Sequence, residues 1–262
     1  MKPTRKPSAR QLGILRHLKE HGRASVDDLA AAFSTTPQTI RKDLNALADA
    51  NQIIRFHGGA ALAAGTEYTS FEARMATAAE EKAEIGRRVA REIPDHASVI
   101  INAGTTTAAI APFLGGHVGL KVVSDSVFLA NELRKHVGLE VMVPGGVVRG
   151  SDGAILGETA IEFISQFRAD IAIVGAAAIA QNGELLDYDL REASVSRAII
   201  ASARTVILAA DGSKFGNVAP VCFGHLRQVD ALVTSVNHPA GIDRLCRDFG
   251  VRLLTMRNAK KA

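Results

Sequence analysis

Apolar positions in the first sixty residues recur with a helical period. Leu12, Leu15 and Leu18 follow a Ser8–Gln11 pair at capping-box spacing, and Val26, Leu29, Ala30 and Phe33 follow a second pair, Ser25–Asp28. Gly22 suits the position just past the first helix. Thr36 then precedes Pro37, a capping hydroxyl before a proline at the first helical position. Ile40, Leu44, Leu47 and Ala48 give a third stripe running to about Ala50. Only Ser34 to Thr36 separate the second and third patterns, which predicts a helix-turn-helix. From Ile53 to Leu62 the pattern alternates and is broken at Gly58-Gly59. That predicts a β-hairpin with Ile54 and Phe56 towards the helices and Arg55 and His57 outward. The whole is a winged helix-turn-helix over 1–62.

Residues 63–79 mix Gly, Thr, Ala and Ser with little periodicity and read as a linker. A helix resumes near Glu80, with Ile85, Val89 and Ile93 in one stripe, and Pro94 stops it. From there to residue 262 short apolar runs alternate with helical patterns. The runs are Val99–Ile101, Lys121–Ser124, Val141–Pro144, Ile171–Gly175, Val206–Ala210 and Ala231–Thr234. The helices fall near Thr106–Leu114, Ser126–Lys135, Glu158–Phe167, Arg191–Ala203 and Gly241–Phe249, with Pro112 kinking or ending the first of them. Strands apolar on both faces, alternating with helices, predict an α/β domain over 80–262 built on a doubly wound, mostly parallel sheet.

Composition sharpens this picture at one point. The chain has 262 residues and a formal charge of +4, yet residues 1–60 carry 10 Lys+Arg against 5 Asp+Glu. The remainder is close to neutral. A basic head on a neutral body points to a polyanion partner. Two cysteines exclude a disulfide scaffold, and Cys222 and Cys246 read as buried thiols. No apolar run approaches the ~18 residues of a membrane span, and no apolar segment follows Lys2, Arg5 and Lys6. A cytoplasmic protein without a membrane partner is the expectation, with no cofactor, metal site or catalytic residue.

The third helix turns Gln38, Lys42 and Asn45 away from its apolar stripe, with Thr39 and Arg41 on the flanks. Those side chains suit base edges in a major groove, Thr36 caps the helix that carries them, and Arg55 suits phosphate beside the groove. His57 joins them on the wing. In doubly wound sheets ligands bind beyond the carboxyl ends of the strands. Those ends carry Asn102-Ala103-Gly104-Thr105-Thr106-Thr107, then Ser124-Asp125-Ser126, then Gly145-Gly146 with Arg149. Gly175 and Asp187 follow, and then Asp211-Gly212-Ser213-Lys214. A Gly turn with hydroxyls opening a helix favours phosphate, and Lys214 supplies a point charge.

Leu29 to Leu62, with Thr36-Pro37-Gln38-Thr39-Ile40-Arg41-Lys42-Asp43-Leu44 and then His57-Gly58-Gly59-Ala60, resembles the DNA-binding head of DeoR-type transcriptional regulators. The resemblance continues through Glu162 to Asp170, Gly183 to Asp189 and Ser213-Lys214-Phe215-Gly216. It implies a sugar-phosphate-sensing domain similar in fold to ribose-5-phosphate isomerase, in a repressor relieved by ligand. The implied partners are double-stranded operator DNA, a second copy of the chain, and a small phosphorylated polyol or sugar, glycerol-3-phosphate first among them. It further implies that Gly104, Thr105, Thr106 and Lys214 hold the phosphate and that Asp187 lies near the hydroxyl end. Ser124-Asp125-Ser126 stands where such regulators usually carry Thr-Asn-Asn, and Gly175-Ala176-Ala177-Ala178-Ile179 replaces a more polar run. Asp125 would repel a phosphate unless it bonds a hydroxyl.

The alternative is a sugar-phosphate isomerase carrying a DNA-binding head. That reaction needs a carboxylate base, and Gly175 to Ala180 offers none. A dinucleotide-binding protein is a third reading, but no Gly-x-Gly-x-x-Gly follows the first strand.

Overall fold

The computed structural model describes residues 7–21, 23–50, 52–56, 58–62, 71–235 and 238–255, and the chain divides into two compact units, Met1–Tyr68 and Thr69–Ala262.

In the first unit the order is α1 (Ala9–His21), β1 (Arg23–Ser25), α2 (Val26–Ala32), α3 (Pro37–Asp49), β2 (Ile53–Phe56) and β3 (Gly59–Leu62). Both capping boxes form. The Ser8 hydroxyl accepts from Gln11 N–H while Gln11 Oε1 accepts from Ser8 N–H, and Ser25 and Asp28 do the same. Ile14, Leu15, Leu18, Leu29, Ile40, Leu44 and Leu47 close one core, which Ile53 and Ala60 join from the hairpin. Leu12 is a correction: it is 44% exposed, and Ile14 takes the inward position. Phe56 pairs with Gly59, so of the two glycines only Gly58 belongs to the turn, at φ +84°. β1 adds a third strand that the sequence pattern did not predict, pairing antiparallel with β3. Gly22, His57 and the side chains of Ile54 and Phe56 lie outside the described residues.

The second unit opens inside the expected linker. Residues 71–76 form a helix, α4 (Phe71–Ala76), because Phe71 is buried and packs edge-on against Phe128, 4.9 Å between ring centres. There follow α5 (Ala79–Ala90), β4 (Ser98–Ile101), α6 (Thr105–Ala108), β5 (Lys121–Ser124), α7 (Val127–Leu133), β6 (Glu140–Met142) and α8 (Glu158–Ser165). Then come β7 (Ala169–Val174), β8 (Ala178–Ile179), β9 (Glu184–Asp187), α9 (Leu190–Ala201) and β10 (Ala203–Ala210). The last are β11 (Val221–His225), β12 (Ala231–Thr234), α10 (Ala240–Phe249) and β13 (Arg252–Leu254). The helix expected over 106–114 is a single turn, α6, followed by a 3-10 turn at Ala111–Phe113. Pro112, which has no N–H to donate, sits at the start of that second turn.

Seven parallel strands stand in the order β13-β12-β10-β7-β4-β5-β6. Alternation within each strand feeds two cores, one per face. Val99, Ile101, Val122, Ile171, Ile173 and Ile207 pack with Ile85 and Val89 of α5. Ile100, Val123, Ala172, Val174 and Leu208 pack with Ile164, Val195 and Ile199 of α8 and α9. α5 approaches so closely that a Cβ on Gly86 would lie 2.3 Å from the Ala109 carbonyl oxygen. A separate sheet, β11-β9-β8, was not foreseen, because its two- to five-residue strands sit among Gly and polar residues. It explains why Cys222 is exposed and not buried as expected: on the outer strand β11 it points away while Phe223 points in. Cys246 is buried.

Candidate functional site

The sheet order reverses between β4 and β7, and a crevice forms at such a switch point. Asn102 leaves β4 there. Its Oδ1 accepts the Gly175 N–H at 2.9 Å and its Nδ2 donates to Ser196 at 3.3 Å. The oxygen of its amide thus ties the ends of β4 and β7 together, and the nitrogen anchors them to α9. Thr107 is fully buried and its hydroxyl lies 2.8 Å from Asn102 O and 3.0 Å from Gly104 O. Gly104 has an extended backbone, and what demands glycine is space, since a Cβ would meet Thr107 Oγ1 at 3.0 Å. Asn102 and Thr107 shape this turn, and the hydroxyls of Thr105 and Thr106, also buried, meet Lys82 and Asp211. α6 has only four residues, so the dipole it offers an anion is correspondingly small.

The positive charge at this turn comes largely from a residue not singled out in the sequence. Lys82, on α5, is 4% exposed and donates to Thr105 Oγ1 at 3.1 Å and to the Arg74 carbonyl at 2.5 Å. Burial holds its ammonium below the usual lysine range, Asp211 pulls the other way, and Lys214 and Arg74 add repulsion. Its signal was present in the chain: Lys82 occupies the same face as Ile85, Gly86 and Val89, a lysine where the period calls for an apolar residue. Asp211 faces the same point. Thr106 donates to it at 3.3 Å, and Ser213 bonds it through both hydroxyl and N–H. Burial pushes its carboxyl up, but the Ser213 hydroxyl, Lys214 and Lys82 outweigh this and leave it lowered. Glu81 accepts the Gly212 N–H at 2.6 Å and fixes the start of that loop against α5. Lys82, Lys214, Thr105 and Thr106 thus converge around one buried carboxylate.

Ser124 and Asp125 are buried. Ser124 Oγ accepts from Ser126 N–H at 3.1 Å, and Asp125 Oδ1 accepts the Ala103 N–H at 2.6 Å. Burial pushes the Asp125 carboxyl up, to about 7, against the Ala103 bond. Gly145 and Gly146 are exposed, with Gly146 at φ +146°. Arg149, beyond them, is engaged by three carboxylates: Asp152, Glu192 at 2.5 Å and Asp189 at 3.4 Å. Burial and then Asp187 raise Glu192, to about 8, against the pull of Arg149. Asp187 Oδ1 accepts from Tyr188 N–H at 2.6 Å. Arg74 acts on both Lys82 and Asp152, so the Lys82 and Arg149 clusters share a neighbour.

In the first unit Gln38, Arg41, Lys42 and Asn45 are exposed along α3. The Thr36 hydroxyl accepts the Thr39 N–H at 3.3 Å and lies 2.9 Å from Thr39 Oγ1. Arg55 is exposed on β2 and donates to Asn45 Oδ1, so wing and helix meet through these two side chains. Asp43, on the inner side of the same helix, is 6% exposed and accepts from Arg10 Nε at 2.5 Å and Gln11 Nε2 at 3.1 Å. α1 is thereby pinned to α3. Among the described residues no group of three or more His, Cys, Asp or Glu has metal-binding geometry, and no helix is long and apolar enough to cross a membrane.

A winged helix-turn-helix and a parallel α/β unit with polar and charged side chains gathered at its switch point define a two-part DNA-binding regulator. Residues 10–66 match the DeoR-like helix-turn-helix domain and residues 77–236 the DeoR C terminal sensor domain. The chain is 40% identical to the glycerol-3-phosphate regulon repressor of Escherichia coli (strain K12), over 95% of this chain and 98% of that one. It is equally identical to the repressor of the same name from Haemophilus influenzae, over 95% and 97%. With the HTH-type transcriptional repressor CsqR of Escherichia coli it shares 35% identity over 92% of each chain. A solved D-ribose-5-phosphate isomerase aligns with 52% of this chain and 54% of its own at 18% identity and a TM-score of 0.40. The chain belongs to the DeoR family and is a DNA-binding transcriptional repressor, not an enzyme.

Proposed function

We propose that this repressor leaves its operator when a small phosphorylated polyol, most simply glycerol-3-phosphate, binds at the switch-point crevice. In this reading residues 1–62 bind DNA and the second unit, with α4 packed on it, senses. What supports it most is the convergence of Lys82, Lys214 and the Thr105 and Thr106 hydroxyls around Asp211. An entering phosphate would take the place of carboxylate and hydroxyl partners on two ammonium groups, in a buried setting where charge-assisted bonds are strong. The Asp187, Glu192 and Arg149 cluster next to it suits hydroxyls, which donate to carboxylates and accept from a guanidinium. The names of the full-length relatives favour glycerol-3-phosphate among such ligands.

On the DNA side, Gln38, Thr39, Arg41, Lys42 and Asn45 would face the groove and Arg55 the wing contact. A single head makes few base contacts, so a homo-oligomer would present two heads to half-sites about 34 Å, one helical turn, or a multiple apart. The ligand must bind the DNA-competent and released states with different affinity, since an indifferent ligand shifts nothing. The test is a thermal-shift screen of sugar and polyol phosphates on the full chain, each hit repeated in an operator gel shift. Glycerol-3-phosphate should both stabilise the protein and release DNA; stabilisation with the DNA complex intact would refute the reading.

A further inference from the structure

We propose that Asn45 and Arg55 act as one unit that selects a guanine edge in the operator. The inference rests on the assignment of α3 and the wing to the DNA face. Asn45 lies on the exposed face of α3 with Gln38 and Lys42, and its side-chain oxygen accepts a bond from the Arg55 guanidinium on β2. An asparagine reads adenine by using both ends of its amide, the oxygen for N6–H and the nitrogen for N7. Here the oxygen faces guanidinium N–H groups. An adenine amino group would have only the second lone pair of that oxygen, next to a cationic guanidinium N–H that disfavours another donor.

What the pair presents to a base is then mainly donors, Nδ2 of Asn45 and the other N–H groups of Arg55, against one remaining lone pair on Asn45 Oδ1. Guanine is the base whose major-groove edge presents two adjacent acceptors, N7 and O6. The pair also fixes where the wing arginine points, because holding one guanidinium N–H on the helix aims the rest along the groove face. Arg55 alone would be free to take any nearby phosphate.

The probe is a pool of random-sequence duplex DNA, from which the full-length protein and its variants are selected in parallel. Binding is then measured on the selected duplex and on the same duplex with 7-deazaguanine at the selected position, which deletes the N7 acceptor and keeps base pairing. The wild type should select guanine at one position and lose roughly 5- to 150-fold in affinity on the 7-deaza duplex. Asn45→Ala, Arg55→Ala and the double variant should lose similar amounts, because the two residues act together. None should respond further to 7-deazaguanine. Asn45→Asp keeps the acceptor for Arg55 and removes the amide donors, so it too should lose the guanine preference while melting like the wild type. Three results would overturn the proposal: an adenine preference that Asn45→Ala abolishes, an Arg55→Ala loss equal on all sequences with guanine selection intact, or a wild type that selects no sequence at all.

Discussion

The ammonium of Lys82 lies 3.1 Å from the hydroxyl of Thr105, on a helix that precedes the first strand of the sheet. This contact joins α5 to the turn after β4 and brings a buried cation to the place where an anion is expected. Replacing it with methionine removes the charge and keeps the stem. Lys82→Met should leave the melting temperature of the free protein unchanged or raised, because a desolvated cation is gone. The thermal shift produced by glycerol-3-phosphate should disappear, a loss of about 1.5–3 kcal/mol of binding. A lower melting temperature with the ligand shift intact would make Lys82 a purely structural residue.

Asp125 gives the protein a stability that falls with rising pH. Its folded carboxyl titrates at about 7, far above the 3.8 of an exposed one, so between these values the folded chain holds a proton that the unfolded chain has released. Stability from this group is therefore lost as pH rises from about 4 to about 7, at up to ~1.4 kcal/mol per pH unit, and is flat above. Asp125→Asn keeps an oxygen for the Ala103 N–H and has nothing to titrate. Melting curves from pH 5 to 8 should show a shallower decline for the variant; parallel curves would show that Asp125 is not the titrating group.

Arg149 holds Asp152, Asp189 and Glu192 together, and each of the three is largely buried. Removing the guanidinium leaves Asp152 and Glu192 without their cation, while Asp189 keeps Arg191 at 2.6 Å. Arg149→Met should destabilise the second unit by about 2–4 kcal/mol, or about 5–15 °C in melting temperature. Adding Glu192→Gln should recover part of the loss. Equal melting of Arg149→Met and wild type would show the cluster to be energetically idle.

In the first unit, Asp43 anchors the DNA-facing helix from behind. Asp43→Ala removes the acceptor shared by Arg10 and Gln11 and should lower the stability of this unit. Operator affinity should fall, although Arg41 and Lys42 are untouched. Asp43→Asn, which retains an acceptor for Gln11, should lie between. Chemical denaturation followed by gel shift distinguishes this from an effect on DNA contact alone, in which stability would not change.

Much of this architecture was legible because its signals are local and redundant. The head carries three capping signatures and three stripes, and all of its helices form where those signals put them. The strands of the large sheet are apolar on both faces, so their runs stand out whatever surrounds them. The small sheet was illegible for the opposite reason: Ala178–Ile179 and Glu184–Asp187 become strands by pairing with each other and with Val221–His225, not by any pattern of their own. The site was half legible. Gly104, Thr105, Thr106 and Lys214 follow from the strand-end rule, whereas Lys82 lies on a helix before the first strand, where that rule does not look. The engagement of Arg149 by three acids could not be foreseen, since Asp152, Asp189 and Glu192 come together only in the fold.

The order of strands in the large sheet also sets an order of events during synthesis. β4 is central, and its neighbour β7 follows a long stretch of chain: Ser98 N–H donates to Asp170 Oδ2 across 72 residues. The head can close as soon as it leaves the ribosome, because its contacts are local. β4 must wait for β7, one of its two neighbours in the sheet, until most of the chain has been made. Nascent chains ending before Ala169 should therefore hold a protease-resistant head and a degradable remainder, so that a reader of DNA exists for a time before the sensor that controls it.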